Sequence, residues 1–414
     1  MMQYGCIGET LKHSFSAEIH PLLSDAPYEL CEVSKDALDG FMKRREFRGI
    51  NVTIPYKQAV IPYLHEIDEQ ASAIGAVNTV VNRGGLLYGY NTDFYGMCAL
   101  LAHLGAEVRN KKVAILGTGG TSLTALAVAE HLGASEILRV SRSEKEDCIT
   151  YEALREKHAD VQILINTTPC GMYPHPYECP VDVCDFPKLE AVADAVYNPL
   201  RTELVLGARE RGIAAEGGLY MLVAQAVRAA EIFHDCTYPK GTVEEIWKKI
   251  MRRKENIVLI GMPGSGKTTV GNLLAADLKR NFCDMDVEIG LRSQRTPAEI
   301  IAEDGEGAFR DLESQVLREH IAMRQGEIIA TGGGAILRSE NVRMLRHNGR
   351  IYLLDRPLEK LIPTDDRPLS SDRAALERRY HERYDRYHGA ADAKVSDPET
   401  AEDAANIIRE EFEI

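Results

Sequence analysis

No segment of this chain approaches the roughly 18 consecutive apolar residues that a membrane-spanning helix requires, so no membrane association is expected. The start, Met1-Met2-Gln3-Tyr4-Gly5-Cys6, has neither a basic stretch nor an apolar one. No secretory leader is therefore visible, and the cytoplasm is the expected compartment. Nine cysteines are an odd number and none belongs to a C-x-x-C pair, which argues against a disulfide framework and against a zinc site. Excess positive charge is missing too. With 49 Lys and Arg against 63 Asp and Glu the formal net charge is -14, which repels polyanions and makes nucleic acid an unsuitable partner. The densest basic run, Lys248-Lys249 to Arg252-Arg253-Lys254, reads as a solvated helix end. Internal repeats and low-complexity tracts are absent.

What is present is an α/β rhythm. At 414 residues the chain is too long for one ordinary core. Strand-like and helical stretches alternate throughout, as in Lys112 to Leu116, Ser122 to Leu132 and Glu136 to Val140, the pattern of parallel sheets. Glycine-rich strand-to-helix junctions at Gly117 and Gly261 each follow an apolar run, which implies two nucleotide-binding units. The stretch from Asp235 to Gly241 breaks structure, Val243 to Arg253 reads as one more helix, and a domain boundary is expected near residue 252.

Around the first junction, Gly117-Thr118-Gly119-Gly120-Thr121-Ser122 places glycines where a backbone must turn tightly against a pyrophosphate, with Ser122 at the third fingerprint position. The next strand ends in Ser141-Arg142-Ser143. An NAD enzyme would present a carboxylate there, whereas an arginine between hydroxyls suits the 2'-phosphate of NADP. Upstream, His13-Ser14-Phe15-Ser16 offers two hydroxyls on one side if the backbone is extended. Asn51-Val52-Thr53-Ile54-Pro55-Tyr56-Lys57 adds an amide, a hydroxyl and an ammonium. Gly75-Ala76-Val77-Asn78-Thr79 and Gly89-Tyr90-Asn91-Thr92-Asp93 flank a hairpin turning at Asn82-Arg83-Gly84-Gly85. Such a lining suits a polyhydroxylated ring.

Over residues 4 to 233 these motifs, in this order, resemble the shikimate dehydrogenase family. The resemblance implies that Ser14, Ser16, Thr53, Asn78, Tyr220 and Gln225 contact the substrate, with Lys57 and Asp93 as the catalytic pair. It also implies a cofactor site at Gly117, Gly119, Gly120, Thr121, Ser122, Ser141, Arg142 and Ser143, completed by Asn166, Thr167 and Gly218. Thr121 fills a position that is often alanine, and Ser141 one that is often asparagine.

The second junction, Gly261-Met262-Pro263-Gly264-Ser265-Gly266-Lys267-Thr268, is a full Walker A pattern whose amides cradle phosphates, followed by Thr269. Downstream, Asp284 and Asp286 stand two apart at a strand end, Arg310 and Glu313 three apart on a helix, and Gly332-Gly333-Gly334 leave bare backbone for a small ligand. With Asp366-Arg367-Pro368-Leu369 and Arg383-Tyr384, this set resembles shikimate kinase across residues 255 to 414. The resemblance implies ATP on Gly261, Gly264, Ser265, Gly266, Lys267, Thr268 and Thr269, and Mg2+ near Thr268 and Asp284. It makes Asp286, Lys267 and Arg367 catalytic, and puts Arg310, Arg383 and the three glycines around the acceptor. The stretch before Arg367 is shorter than the family's usual lid and lacks an arginine commonly found there.

The resulting expectation is a bifunctional chain. Its substrate-binding domain spans 1-100 and 219-250, its Rossmann NADP domain 101-218, and its P-loop domain, similar to nucleoside monophosphate kinases, 251-414. It would reduce 3-dehydroshikimate to shikimate with NADPH and phosphorylate shikimate with ATP, as a monomer or homodimer. Competing readings are an NAD-dependent quinate dehydrogenase and, for the second half, a nucleotide sensor without transfer chemistry.

Overall fold

The structure, a computed structural model, describes residues 2–11, 15–361 and 373–413. The chain divides into two compact units, Met1–Ile250 and Met251–Ile414. Among the described residues no helix is long and apolar enough to cross a membrane.

The first unit holds two sheets. Strands β1 (Met2–Gly8), β2 (Tyr28–Glu32), β3 (Phe47–Val52), β4 (Glu66–Ile67), β5 (Thr79–Arg83) and β6 (Leu86–Tyr90) form a mixed sheet in the order β2-β1-β3-β5-β6-β4. β5 and β6 are an antiparallel hairpin whose turn takes positive φ at Gly84 and Gly85, the geometry that glycine supplies without a Cβ clash. The second sheet is wholly parallel and runs β12-β11-β10-β7-β8-β9, made of β7 (Lys112–Leu116), β8 (Glu136–Ser141), β9 (Ile149–Thr150), β10 (Ile163–Asn166), β11 (Ala191–Asp194) and β12 (Ala214–Glu216).

Alternate residues of its central strands enter different cores. Val113, Ile115, Ile163 and Ile165 pack on one face, and Ala114, Leu116 and Leu164 on the other. Burial on both faces explains why these strands read as continuous apolar runs, each Val, Leu or Ile contributing about 1.5–3 kcal/mol. The helix Leu219–His234 returns to the first sheet, where Phe233 and Ala229 join Tyr4 and Val81. It crosses the helix Thr92–His103 closely, because a Cβ at Gly96 would lie 2.7 Å from the Met221 carbonyl oxygen. That approach brings the starts of the two helices to one place.

The second unit has one parallel sheet, β14-β15-β13-β16-β17, from β13 (Asn256–Ile260), β14 (Phe282–Asp284), β15 (Ile328–Ala330), β16 (Gly349–Asp355) and β17 (Ala393–Ser396). Ile257 and Leu259 of β13 pack against Val270 and Leu274 of the helix Lys267–Leu278 and Ile408 of the closing helix Ala401–Glu413. β13 is central, so its C-terminal end opens where strand order reverses, the position at which such sheets bind ligands.

Candidate active sites

Two cavities adjoin in the first unit. The larger, about 860 Å³, opens at the C-terminal ends of β7 and β8 and is lined by Gly117 through Thr121, by Ser141, Arg142 and Ser143, and by Thr167. Gly117 has φ +111, and a Cβ there would lie 2.8 Å from Thr167 Oγ1, so only glycine fits the turn. Space beside Gly119 is open, and the helix Gly120–His131 starts at that point with its backbone N–H groups aimed outward. The residues fit a dinucleotide: bare backbone at a helix N-terminus, with Arg142 at the end of the next strand.

The smaller cavity, about 450 Å³, is lined by Ser16, Thr53, Lys57, Asn78, Asp93 and Gln225 among others. Lys57 Nζ and Asp93 Oδ2 are 2.6 Å apart, with side chains only 16% and 11% exposed. Asp93 occupies the first turn of the helix Thr92–His103, capped by Asn91, whose side chain accepts from the Phe94 N–H at 3.1 Å. Asn78 locks the same turn: its Oδ1 accepts from the Thr92 N–H at 2.7 Å, and its amide donates to Thr92 Oγ1 at 3.0 Å. The Thr92 hydroxyl in turn reaches Gln225 Oε1 at 3.3 Å. Lys57 lines both cavities, and a Cβ at Gly120 would lie 3.8 Å from its Cδ. An ammonium is thus held between a ring-sized chamber and a dinucleotide-sized one.

In the second unit Gly261, Gly264 and Gly266 all have positive φ, which lets successive N–H groups face one ligand. Lys267 Nζ donates to the carbonyls of Gly261 at 2.8 Å and Met262 at 3.1 Å. Thr268 Oγ1 donates to Asp284 Oδ2 at 2.9 Å, and Asp284 Oδ1 accepts from the Asp286 N–H at 3.0 Å. A phosphate cradle and a carboxylate pair therefore meet, a donor set suited to a hard cation beside phosphate oxygens.

Gly332 closes the group, because a Cβ there would fall 2.7 Å from Glu313 Oε1 and 2.9 Å from Asp286 Oδ1. Arg310 Nη1 binds Glu313 Oε2 at 2.8 Å, and Glu313 is wholly buried, which pushes its carboxyl up against the pull of Arg310. Arg383 donates to the Gly333 carbonyl at 2.9 Å, and the Tyr387 hydroxyl donates to the same oxygen.

A family model described as shikimate dehydrogenase substrate binding domain matches residues 6–80, and one described as shikimate kinase matches residues 263–412. A shikimate dehydrogenase (NADP(+)) of Clostridium perfringens is 37% identical over 271 residues, covering 61% of this chain and 100% of that protein. The chain belongs to the shikimate dehydrogenase family and continues into a shikimate kinase domain. Among solved structures, shikimate dehydrogenase 1 of Peptoclostridium difficile superposes with TM-score 0.56 and 36% identity, covering 60% of this chain and 98% of that one. The enzyme of Thermus thermophilus, in complex with NADP(H) and shikimate, gives 0.54 and 28%, covering 60% and 99%.

Several expected positions of the dehydrogenase unit are not on the walls of these two cavities. Ser122 is fully buried and its Oγ donates to the Gly117 carbonyl at 2.7 Å, so it braces the turn from beneath. Asn166 is also buried, donating to Asp194 Oδ1 at 2.9 Å and accepting from the Thr168 N–H at 3.0 Å; it shapes the loop that carries Thr167. Tyr220 stacks on His103 at 4.0 Å, on the side of its helix opposite Met221, Leu222 and Gln225, which line the smaller cavity. Gly218 does line that cavity. Phe15 is helical, with φ -82 and ψ -3, and Ser16 begins a helix, so the extended geometry proposed for the paired hydroxyls does not hold at Phe15. Ser14, Arg367 and, apart from Leu361, the short lid lie outside the described residues.

In the kinase unit, the backbone of Ser265 belongs to the cradle while its Oγ is buried; Thr269 is exposed one residue beyond Thr268. Sequence reasoning passed over Lys145, which lines the larger cavity and donates to Thr118 Oγ1 at 2.9 Å. Its signal was the second cation three residues after Arg142. Also passed over was Asp194. Burial pushes its carboxyl up to about 6, opposed by donors from Thr202, Val196 and Asn166. Asp194→Asn would keep one accepting oxygen but replace the other, which accepts from the Thr202 hydroxyl at 2.6 Å, by a donor and so force that hydroxyl to turn; an expected loss of about 1–3 kcal/mol is checked by the urea midpoint of dehydrogenase activity.

Proposed function

We propose that the chain reduces 3-dehydroshikimate to shikimate with NADPH and phosphorylates shikimate with ATP to shikimate 3-phosphate, two successive steps toward chorismate and the aromatic amino acids. The observation that carries this reading is the Lys57–Asp93 pair at 2.6 Å, with Lys57 on the wall common to two cavities and Asp93 on that of the smaller one. A nicotinamide cofactor, when bound along Gly117 to Thr121, supplies the hydride. Lys57 delivers a proton to the oxygen that becomes the alcohol, and Asp93 holds the ammonium in line for that delivery. Ser16, Thr53, Asn78 and Gln225 orient the ring, and Thr167 and Gly218 border the nicotinamide end. Arg142 pairs with the 2'-phosphate between Ser141 and Ser143. Accordingly Arg142→Ala should raise the KM for NADPH about tenfold to a hundredfold and leave that for NADH unaltered, read in parallel initial-rate assays.

In the kinase unit, Asp286 accepts the proton of the attacking hydroxyl, and Arg310 and Arg383 hold the substrate carboxylate against Gly332, Gly333 and Gly334. Lys267 turns from the Gly261 and Met262 carbonyls to the β- and γ-phosphates, and Arg367 neutralises charge on the transferring group. Thr268 and Asp284 would hold Mg2+, which supplies charge neutralisation at the phosphates. Purified protein given 3-dehydroshikimate, NADPH and ATP tests the whole reading: shikimate 3-phosphate is the expected product, and its absence with both cofactors intact would refute it.

A further inference from the structure

The two guanidiniums assigned to the substrate carboxylate already face a carboxylate of this chain. Glu306 Oε1 lies 3.2 Å from Arg310 Nη2 and 3.8 Å from Arg383 Nη2, so a single oxygen spans both arginines. The arginines are 9% and 6% exposed, a setting in which an ionic group needs a partner. Arg310 has a second, permanent partner in Glu313, which is 0% exposed and bound at 2.8 Å.

Glu306 differs from Glu313 in each respect. Its side chain is 40% exposed and its contacts are longer. It also follows Gly305, whose φ of 88 and ψ of 164 interrupt the helix Pro297–Val316, so Glu306 begins a new helical segment and does not sit in the middle of a rigid one. A carboxylate in that place can withdraw into solvent once another anion takes over its arginines, whereas Glu313 cannot. Arg379, one turn before Arg383 on the helix Arg373–Ala390, is close enough to interact electrostatically with Arg383, Glu306 and Arg310. Withdrawal of Glu306 would leave Arg310 with Glu313 alone and Arg383 without its carboxylate contact, a pair of guanidiniums that attracts an anion.

Resting on the assignment of Arg310 and Arg383 to the substrate carboxylate, we propose that Glu306 is an internal mimic of that carboxylate, occupying the arginine pair in the empty enzyme and leaving when substrate binds. It thereby sets substrate affinity and rejects ligands whose anion is too weak to displace it. The apparent affinity is reduced by the fraction of molecules in which the arginines are taken.

The test uses the full chain with saturating ATP and no nicotinamide cofactor, so that ADP release reports the kinase alone. Glu306→Gln removes the charge at constant size, and the KM for shikimate is expected to fall about threefold to tenfold; Glu306→Ala should act in the same direction. Glu313→Gln, by contrast, should raise KM, because it removes a support and not a competitor. A KM for Glu306→Gln that is unchanged or higher overturns the proposal. Arg383→Met separates the two levels: a raised KM upholds the carboxylate assignment whatever Glu306 does, and an unchanged KM removes that assignment and this inference with it.

Discussion

Lys57→Ala lowers NADPH-dependent reduction of 3-dehydroshikimate by about a hundredfold to ten-thousandfold, the range over which a positioned proton donor contributes, while shikimate-dependent ATP consumption continues at its original rate. The expectation follows from position. Lys57 is the ammonium on the wall shared by both cavities of the dehydrogenase unit, and Asp93, at 2.6 Å, leaves it one orientation. The loss should fall mainly on kcat, since the ring's hydroxyls have other partners in Ser16, Thr53, Asn78 and Gln225. Measuring both activities on one preparation decides the matter. Loss of both would contradict independent sites, and retention of the reductase would mean that the proton comes from another group.

Lys267→Ala is expected to do the converse, cutting phosphoryl transfer by about a hundredfold to a thousandfold, as for removal of one preorganised charge at a developing anion. Its ammonium is buried and held by two carbonyls of its own loop, a geometry that keeps it at the mouth of the cradle before nucleotide arrives. Lys267 belongs to the second compact unit and the dehydrogenase sheets to the first, so the dehydrogenase activity of the same sample should be unaltered. A reductase that fell in step with the kinase would show that the variant had damaged the chain as a whole.

The glycine turns were the most legible part of the fold. Gly117 and the three P-loop glycines adopt backbone angles that other residues resist, and that constraint is local enough to be written in a short motif. The strands were legible for a related reason, since a sheet buried on both faces demands an unbroken apolar run. Side-chain direction was not. Ser122, Asn166 and Tyr220 occupy motif positions, yet the first two turn inward to brace a loop and the third stacks on His103. Asp194 lies 28 residues from Asn166 in sequence and meets it only because β10 and β11 are neighbours.

The amino-acid sequence by itself determined that there are two phosphate-binding turns on two parallel sheets, and which ammonium groups, carboxylates and guanidiniums accompany them, because these depend on residue type and short spacing. Tertiary structure alone decided that Lys57 meets Asp93 between two cavities, that Asn166 serves a loop, and that Glu306 faces both Arg310 and Arg383. The reason is physical: contacts between distant segments are fixed by how helices and strands pack, and a close crossing such as that at Gly96 sets which side chains share a chamber.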